Sequence, residues 1–295
     1  MLNKSIARIV TGIVMGVVFL TCIVLGGFPL LLAMLAFVVT GSNEYVKILK
    51  NKGFTPSLKI ILLADFTYAI TAYFNRIDLI PLIITISCVS AFMWVLFRGR
   101  QPYIANVATT ILGFVYGGWL PLYFMNLRDL GTTPYYYGMF KMSSIGDGLW
   151  FVVMLFFCVL FTDTGCYYFG TRFGKHKLAP IISPNKTIEG AIGGAVVAIL
   201  SSLVIGFLIG IEWYHSLIFG ILVTGFAQIG DLCESLIKRD AGVKDSSDML
   251  PGHGGMLDRS DSYILSIPVA YYYMSVFVSD GTIGTHLVNF IKGLF

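Results

Sequence analysis

Ionisable side chains are concentrated in residues 230–262, between two apolar stretches. Asp231, Glu234 and Lys238 fall within about 120° of one another on a helix that turns about 100° per residue. This polar stripe must face protein or a water-filled cavity, because lipid cannot solvate it. Carboxylates beside an ammonium group can bind a metal ion and anionic substrates, although an ion pair between Lys238 and a carboxylate one turn away is a simpler alternative.

The next apolar stretch begins with a second set of carboxylates. Asp258, Asp261 and Ser262 have the i, i+3, i+4 spacing that puts them on one helix face. Helix capping explains one Asp at this position but not two. Because one or two carboxylates plus substrate phosphates hold Mg²⁺, we expect Asp231 and Asp258, with Asp261, to form a metal site. Asp163 is a third carboxylate in an apolar stretch, and a packing hydrogen bond to Thr or Tyr is its structural alternative.

The loop between these helices suits an anion. Gly252, Gly254 and Gly255 allow backbone conformations in which several N–H groups point towards a phosphate. His253 by itself is more typical of a residue that hydrogen-bonds within a loop than of a catalyst. The basic side chains around the loop are Lys238, Arg239, Lys244 and Arg259.

A second loop adds another basic residue. Residues 183–190, with Ser, Asn and Thr followed by Glu189, are typical of a helix start. Lys186 at this start would combine a cation with free N–H groups, which suits a phosphate. Gly190 and Gly194 form a G-x-x-x-G pattern, which predicts a close helix-packing face.

The composition indicates an integral membrane protein. Apolar residues make up 56% of the 295 residues and charged residues 12%, whereas soluble domains have about 25% charged residues. The net charge of +4 is too small to indicate a nucleic-acid partner. The five cysteines include no C-x-x-C pair, so neither a disulfide framework nor a zinc site is predicted.

Nine stretches approach the roughly 20 apolar residues that a spanning helix needs. They cover residues 6–26, 28–49, 57–74, 79–97, 103–126, 148–171, 188–210, 214–237 and 262–279. The second is interrupted by Thr-Gly-Ser-Asn-Glu at residues 40–44 and the third contains Asp65, so one of these two could be partly interfacial. The sequence therefore predicts an all-α, polytopic helical bundle.

The basic residues predict the orientation of these spans. With the N-terminus inside, sixteen of the 20 Lys and Arg residues lie in inner segments and four in outer ones, as the positive-inside rule requires. This places both candidate loops on the cytoplasmic face. We expect two regions, residues 1–147 with about five anchoring or packing helices, and residues 148–295 with the candidate site.

Two blocks of sequence resemble the signatures of the phosphatidate cytidylyltransferases, also called CDP-diacylglycerol synthases. The longer block consists of residues 235–239, 244–245, 250–255 and 257–262, and the shorter one of residues 163–167 and 182–190. The resemblance covers about a hundred residues, from Asp163 to Ser262. One departure is Cys166, where the family has Ala; both side chains are small.

The resemblance implies a reaction in which CTP and phosphatidic acid give CDP-diacylglycerol and pyrophosphate. The lipid phosphate would attack the α-phosphorus of CTP, so catalysis would rest on positioning and charge neutralisation. It implies Mg²⁺ as cofactor, leaves a second cation open, and implies a protein of the bacterial cytoplasmic membrane that acts on the cytoplasmic side. A homodimer is left open, and no nucleic-acid partner is expected.

The same resemblance implies roles for individual residues. The catalytic residues would be Asp231, Asp258, Lys238, Arg239, Lys244 and Asp261, of which Asp231, Asp258 and Asp261 would bind the metal. The substrate-binding residues would be Asp163, Lys186, Ser183, Asn185, Glu189, Ser235, Asp245, His253, Gly254 and Arg259.

Two other functions remain open from the sequence. A CTP-dependent lipid kinase of the polyprenol or phytol type would also need acidic and basic residues at the membrane, although the full length of the longer block favours a cytidylyltransferase. A membrane transporter is compatible with nine spans and buried carboxylates. Transport sites, however, tend to lie at the midplane between repeats, whereas the charges here gather near one interface.

Overall fold

The computed structural model describes residues 16–247, 249 and 254–279. The helices are α1 (Gly16–Leu25), α2 (Gly27–Asn51), α3 (Leu58–Tyr73), α4 (Ile80–Arg98), α5 (Tyr103–Phe114), α6 (Leu120–Arg128), α7 (Asp147–Phe173), α8 (Ile188–Ile209), α9 (Trp213–Asp240) and α10 (Leu257–Phe277). The strands are β1 (Pro134–Tyr137), β2 (Phe140–Ser143), β3 (Lys177–Ala179) and β4 (Ser183–Thr187). The prediction of a helical fold is confirmed.

Six helical segments of the described chain are long and apolar enough to cross a membrane, so the chain is an integral membrane protein. They are Gly27–Asn51, Ile77–Arg98, Tyr103–Arg128, Asp147–Phe173, Ile188–Ile209 and Trp213–Asp240. The other three predicted spans correspond to α1, α3 and α10. Helix α3 has 16 residues, fewer than the roughly 20 that cross a bilayer without adjustment. Much of the first predicted span lies outside the described residues.

The first of two compact units contains residues up to 126 together with 137–142 and 236–260. In this unit Ser42 of α2 donates a hydrogen bond of 2.8 Å to the buried Asp65 of α3. A π-helical turn, Val115–Trp119, joins α5 to α6. Gly118 in this turn lies directly against the Asp65 carboxylate, where a Cβ would collide with it. The absence of a side chain at Gly118 therefore lets the turn pack on α3.

The second unit contains residues 127–136, 143–235 and those from 261 onwards. Here α7 and α8 pack through glycines: a Cβ on Gly165 would lie 2.8 Å from the Cα of Gly194. A Cβ on Gly190 would lie 2.7 Å from the carbonyl oxygen of Cys166. Such close approach needs residues without side chains, so the predicted packing role of Gly190 and Gly194 is confirmed.

Polar contacts attach α9 to this helix pair. Thr162 of α7 donates a hydrogen bond of 2.9 Å to Thr224 of α9. Gln228 of α9 donates from its side chain to the backbone carbonyl of Ala191 in α8 at 3.2 Å. These bonds satisfy polar groups that lipid could not solvate, and they fix the rotation of α9, which carries Asp231.

The helix start predicted within residues 183–190 is present, but it comes after a strand. Strand β4 pairs antiparallel with β3, with Lys177 opposite Thr187. Thr187 is the N-cap of α8, because its side chain accepts a hydrogen bond from the backbone N–H of Gly190 at 3.1 Å. Lys186 therefore lies at the end of a strand, immediately before the cap.

Candidate active site

Asp258 is the second residue of α10 and accepts hydrogen bonds on both carboxylate oxygens. Lys238, near the end of α9, donates to Oδ1 at 2.6 Å. Oδ2 accepts from the backbone N–H of Ser246 at 2.9 Å, from its hydroxyl at 2.8 Å and from the N–H of Gly255 at 2.8 Å. The side chains of Lys238 and Asp258 are only 11% and 7% exposed. Asp258 therefore ties the end of α9, the following loop and the start of α10 together.

These contacts keep Asp258 charged. The residue precedes the apolar part of α10, which begins after Asp261. Burial by itself would raise the pKa of Asp258, but the hydrogen bonds from Lys238, Gly255 and Ser246 outweigh it and lower the pKa to about 2. The helix N-terminus also favours a negative charge at this position. The backbone donors to Asp258 are Ser246 and Gly255, which precede α10, and Lys238 completes an ion pair with the same carboxylate.

Glu44, in α2, belongs to the same group of side chains and was not predicted. It is 2% exposed. Ser247 and the N–H of Met256 donate to its Oε1 at 2.6 and 3.0 Å, and Ser246 and the N–H of Leu257 donate to its Oε2 at 3.2 and 3.0 Å. The sequence signal was the polar interruption at residues 40–44 of an apolar span, because an acidic residue inside such a span needs a polar partner.

A second group of side chains surrounds Asp231. Lys186, at the end of β4, forms an ion pair of 2.6 Å with Oδ2 of Asp231 in α9. Ser235, one turn further along α9, donates to Oδ1 at 3.5 Å, a long contact. The side chains of Lys186 and Asp231 are 26% and 29% exposed, so both are accessible to a substrate. Asp231 is therefore paired with a residue from another element of the fold.

Asp163 of α7 completes this second group. Ser262 of α10 donates to its Oδ1 at 3.2 Å, so the packing partner is Ser262 rather than the Thr or Tyr considered from the sequence. Asp163 also interacts electrostatically with Asp231 and Lys186. Two carboxylates therefore share one ammonium group, and three predicted site residues from three different elements lie together.

Other predicted site residues lie around these groups. Arg239 donates to the backbone carbonyl of Val243 at 3.2 Å, and the side chain of Asp261 accepts from the N–H of Ser262 at 2.7 Å. A Cβ on Gly254 would lie 2.7 Å from Oδ2 of Asp258, and its φ of 78° favours glycine. The exposed members of the set are Arg239, Lys244, Asp245, Arg259 and Asn185. His253 lies outside the described residues.

Glu189, at the start of α8, contacts residues that precede β3. Its carboxylate pairs with Nδ1 of His176 at 2.6 Å and accepts from the backbone N–H of Lys175 at 3.0 Å. These bonds hold the segment before β3 against the start of α8. Ser183, at the start of β4, lies opposite Ala179 in the same hairpin. In the structure both residues shape the hairpin that presents Lys186.

The carboxylates of the site provide part of what a metal ion requires. Within the described ranges, no three His, Cys, Asp or Glu side chains form a group that could hold a metal ion. Asp163 and Asp231, however, provide the two hard oxygen donors that Mg²⁺ takes from a protein when substrate phosphates complete its coordination. In the structure, the positive charge beside Asp231 is the ammonium group of Lys186. The pair of Asp163 and Asp231 therefore fits Mg²⁺.

The chain belongs to the cytidylyltransferase family, whose model matches residues 6–277. It is 32% identical over 293 residues to a phosphatidate cytidylyltransferase from Synechocystis sp., across 90% of this chain and 95% of that protein. It is 34% identical over 269 residues to the phosphatidate cytidylyltransferase of Staphylococcus haemolyticus, across 89% and 96%. Phosphatidate cytidylyltransferase 4, chloroplastic, from Arabidopsis thaliana is 33% identical over 289 residues, across 90% of this chain and 72% of that protein.

Proposed function

We propose that this protein transfers the cytidylyl group of CTP to phosphatidate, giving CDP-diacylglycerol and pyrophosphate. The observation that carries the proposal is the similarity to proteins named phosphatidate cytidylyltransferase over about 90% of the chain. The site chemistry supports it, because each group of carboxylates contains a lysine that can neutralise a phosphate.

The reaction requires two anionic reactants to approach each other. An oxygen of the lipid phosphate forms a bond to the α-phosphorus of CTP, and the bond from that phosphorus to the bridging oxygen of the β-phosphate breaks. Pyrophosphate leaves with that electron pair, so no protein nucleophile is needed. The protein contributes positioning and neutralisation of charge in a partly dehydrated site.

Basic side chains provide most of this positioning and charge neutralisation. Lys186 exchanges Asp231 for a phosphate oxygen of the lipid or of CTP. Lys238, held by Asp258, stabilises CTP phosphates and the departing pyrophosphate. The other residues proposed to contact phosphates are Arg239, Lys244 and Arg259.

Metal binding is the second part of the proposal. Asp231 and Asp163 are the residues of the Lys186 group that would hold Mg²⁺, and Asp258 and Asp261 are the further ligands suggested by the family signature. When bound, Mg²⁺ would neutralise phosphate charge during the transfer. Ser262 orients Asp163 through its hydrogen bond. A second cation remains compatible with this set of carboxylates.

The proposed topology has nine spans and a cytoplasmic N-terminus, with the site on the cytoplasmic side of a bacterial membrane. The uneven distribution of the 20 basic residues supports it. In this arrangement CTP enters from the cytoplasm while the acyl chains of the lipid stay in the bilayer. In this arrangement the chain has two regions, residues 1–147 and 148–295, acts without a nucleic-acid partner and can form a homodimer.

The test offers purified protein one acceptor at a time in mixed micelles with CTP and Mg²⁺. We expect phosphatidate to be converted into CDP-diacylglycerol, identified by mass spectrometry, while diacylglycerol and a polyprenol remain unchanged. A lipid kinase would phosphorylate the alcohols and release CDP. Phosphorylation of an alcohol, or substrate flux across sealed vesicles without nucleotide turnover, would overturn the proposal.

A further inference from the structure

We propose that Glu44 is a positioning residue of the active site, holding both ends of the loop that carries the family signature. The inference rests on the proposed cytidylyl transfer. Glu44 lies in α2, more than two hundred residues before the loop, and belongs to no block of the signature. Its role would give the N-terminal region a function besides anchoring.

The geometry shows that a single carboxylate holds the two ends of the loop. Ser246 and Ser247 follow α9, and Met256 and Leu257 lead into α10. Each Glu44 oxygen accepts one bond from each end: Oε1 from Ser247 and Met256, Oε2 from Ser246 and Leu257. A neutral amide cannot replace this arrangement, because its nitrogen donates and does not accept.

The bonds of Glu44 lead directly to Asp258. The Ser246 hydroxyl lies 3.2 Å from Oε2 of Glu44 and 2.8 Å from Oδ2 of Asp258, so the two carboxylates share one donor. Leu257, whose N–H is bonded to Glu44, is the residue before Asp258. The first N–H groups of a helix have no partner within it, and Glu44 satisfies that of Leu257 from a different helix. A shift of Glu44 would therefore move Asp258 and the ammonium group of Lys238 that it holds.

Two glycines make this approach possible. A Cβ on Gly255 would lie 2.6 Å from Oε2 of Glu44 and would also collide with the Ser246 hydroxyl. Gly41, one turn before Glu44 in α2, has a Leu257 methyl group 3.3 Å from where its Cβ would be. The small residues thus allow α2 and the start of α10 to come close enough for direct hydrogen bonds.

The test compares Glu44→Gln and Glu44→Asp with the wild type, with Asn43→Ala as the matched control. Asn43 is the adjacent residue of α2, and its side chain donates to the Val39 carbonyl of the same helix at 2.7 Å. For correctly folded protein we expect Glu44→Gln to lower kcat about 10- to 100-fold, as for two lost hydrogen bonds at an oriented site. The KM for CTP should change much less, Glu44→Asp should recover part of kcat, and Asn43→Ala should match the wild type.

Glu44→Gln with wild-type kcat would overturn the inference. So would a loss that disappears when activity is divided by the folded fraction, because that is the result of a purely structural role. If Glu44→Gln does not fold, Ser247→Ala, which removes one of the four bonds, must lower kcat by a smaller factor. A normal kcat in Ser247→Ala and Glu44→Asp together would then overturn it. Failure of the wild type to form CDP-lipid would overturn the proposed function instead.

Discussion

Lys186 and Asp231 form an ion pair of 2.6 Å between the end of β4 and the second half of α9. Both side chains are about a quarter exposed, so the pair is held by the fold but remains open to a substrate. Asp163 interacts electrostatically with both, and this arrangement places two negative charges around one positive charge. Such a group has the capacity to accept a further cation, and its lysine can exchange a carboxylate for a phosphate.

The first expectation concerns Asp231. Asp231→Asn removes the charge that pairs with Lys186 and a proposed metal ligand, so we expect CDP-lipid formation to fall by about three orders of magnitude. The measurement is the rate of CMP incorporation into lipid during a Mg²⁺ titration. Asp78→Asn is the control, because Asp78 is an exposed carboxylate paired with Arg76 at 2.8 Å. Near-normal Mg²⁺-dependent turnover in both Asp231→Asn and Asp258→Asn would refute the metal assignment.

The second expectation concerns the pair of Lys238 and Asp258. Removing either partner leaves a nearly buried charge, which is costly. We expect Lys238→Ala and Asp258→Ala each to destabilise the protein. The double variant should be less destabilised than their sum by about 1–3 kcal/mol. Thermal unfolding in detergent at neutral pH gives these values, and strict additivity would show that the contact contributes nothing.

The third expectation concerns the packing of α7 on α8. A Cβ on Gly194 would lie 2.7 Å from the backbone carbonyl of Thr162, which cannot move without disturbing α7. We expect Gly194→Ala to lower the unfolding free energy by about 1–3 kcal/mol. Gly225→Ala in α9 is the control, because, apart from its chain neighbours and the backbone of its own helix, no atom lies within 4 Å of the added Cβ. Equal melting temperatures for the two variants would contradict this account of the helix packing.

The fourth expectation concerns pH. The pKa of Asp258 is lowered to about 2 in the folded protein, whereas an unperturbed Asp has a pKa of about 3.9. The stabilisation from the charged carboxylate is therefore fully present above about pH 5 and is lost as the pH falls from about 4 towards 2. We expect the difference in Tm between the wild type and Asp258→Asn to stay constant from about pH 8 to 5 and to shrink below. A difference that already shrinks between pH 7 and 5 would contradict the assignment.

Local patterns in the sequence were sufficient to predict several parts of the site. The positions of Asp231 on a polar helix face and of Asp258 at a helix start follow from periodicity and capping. The close contact at Gly190 and Gly194 follows from their spacing. The helical class followed from composition, because few other folds satisfy backbone hydrogen bonds in lipid.

Long-range pairings could not be read from the sequence. The partner of Lys186 is 45 positions away, and Glu44 contacts a loop about two hundred positions away. Periodicity identifies which face of a helix is polar, but not which distant residue that face meets. Glu44 was therefore seen only as an interruption of a span. The sequence does not indicate strand β4, because its five residues, Ser183–Thr187, are also the first part of the helix-start pattern.

The most direct measurement of the central claim follows the position of the phosphate that reaches the lipid. Purified protein would be given phosphatidate, Mg²⁺ and CTP labelled with ³²P at either the α- or the γ-phosphate. Cytidylyl transfer requires that lipid-soluble label come from α-labelled CTP alone and that Asp231→Asn lose this incorporation. Label from the γ-phosphate would indicate a kinase, and it would contradict the account, as would the absence of labelled lipid with wild-type protein.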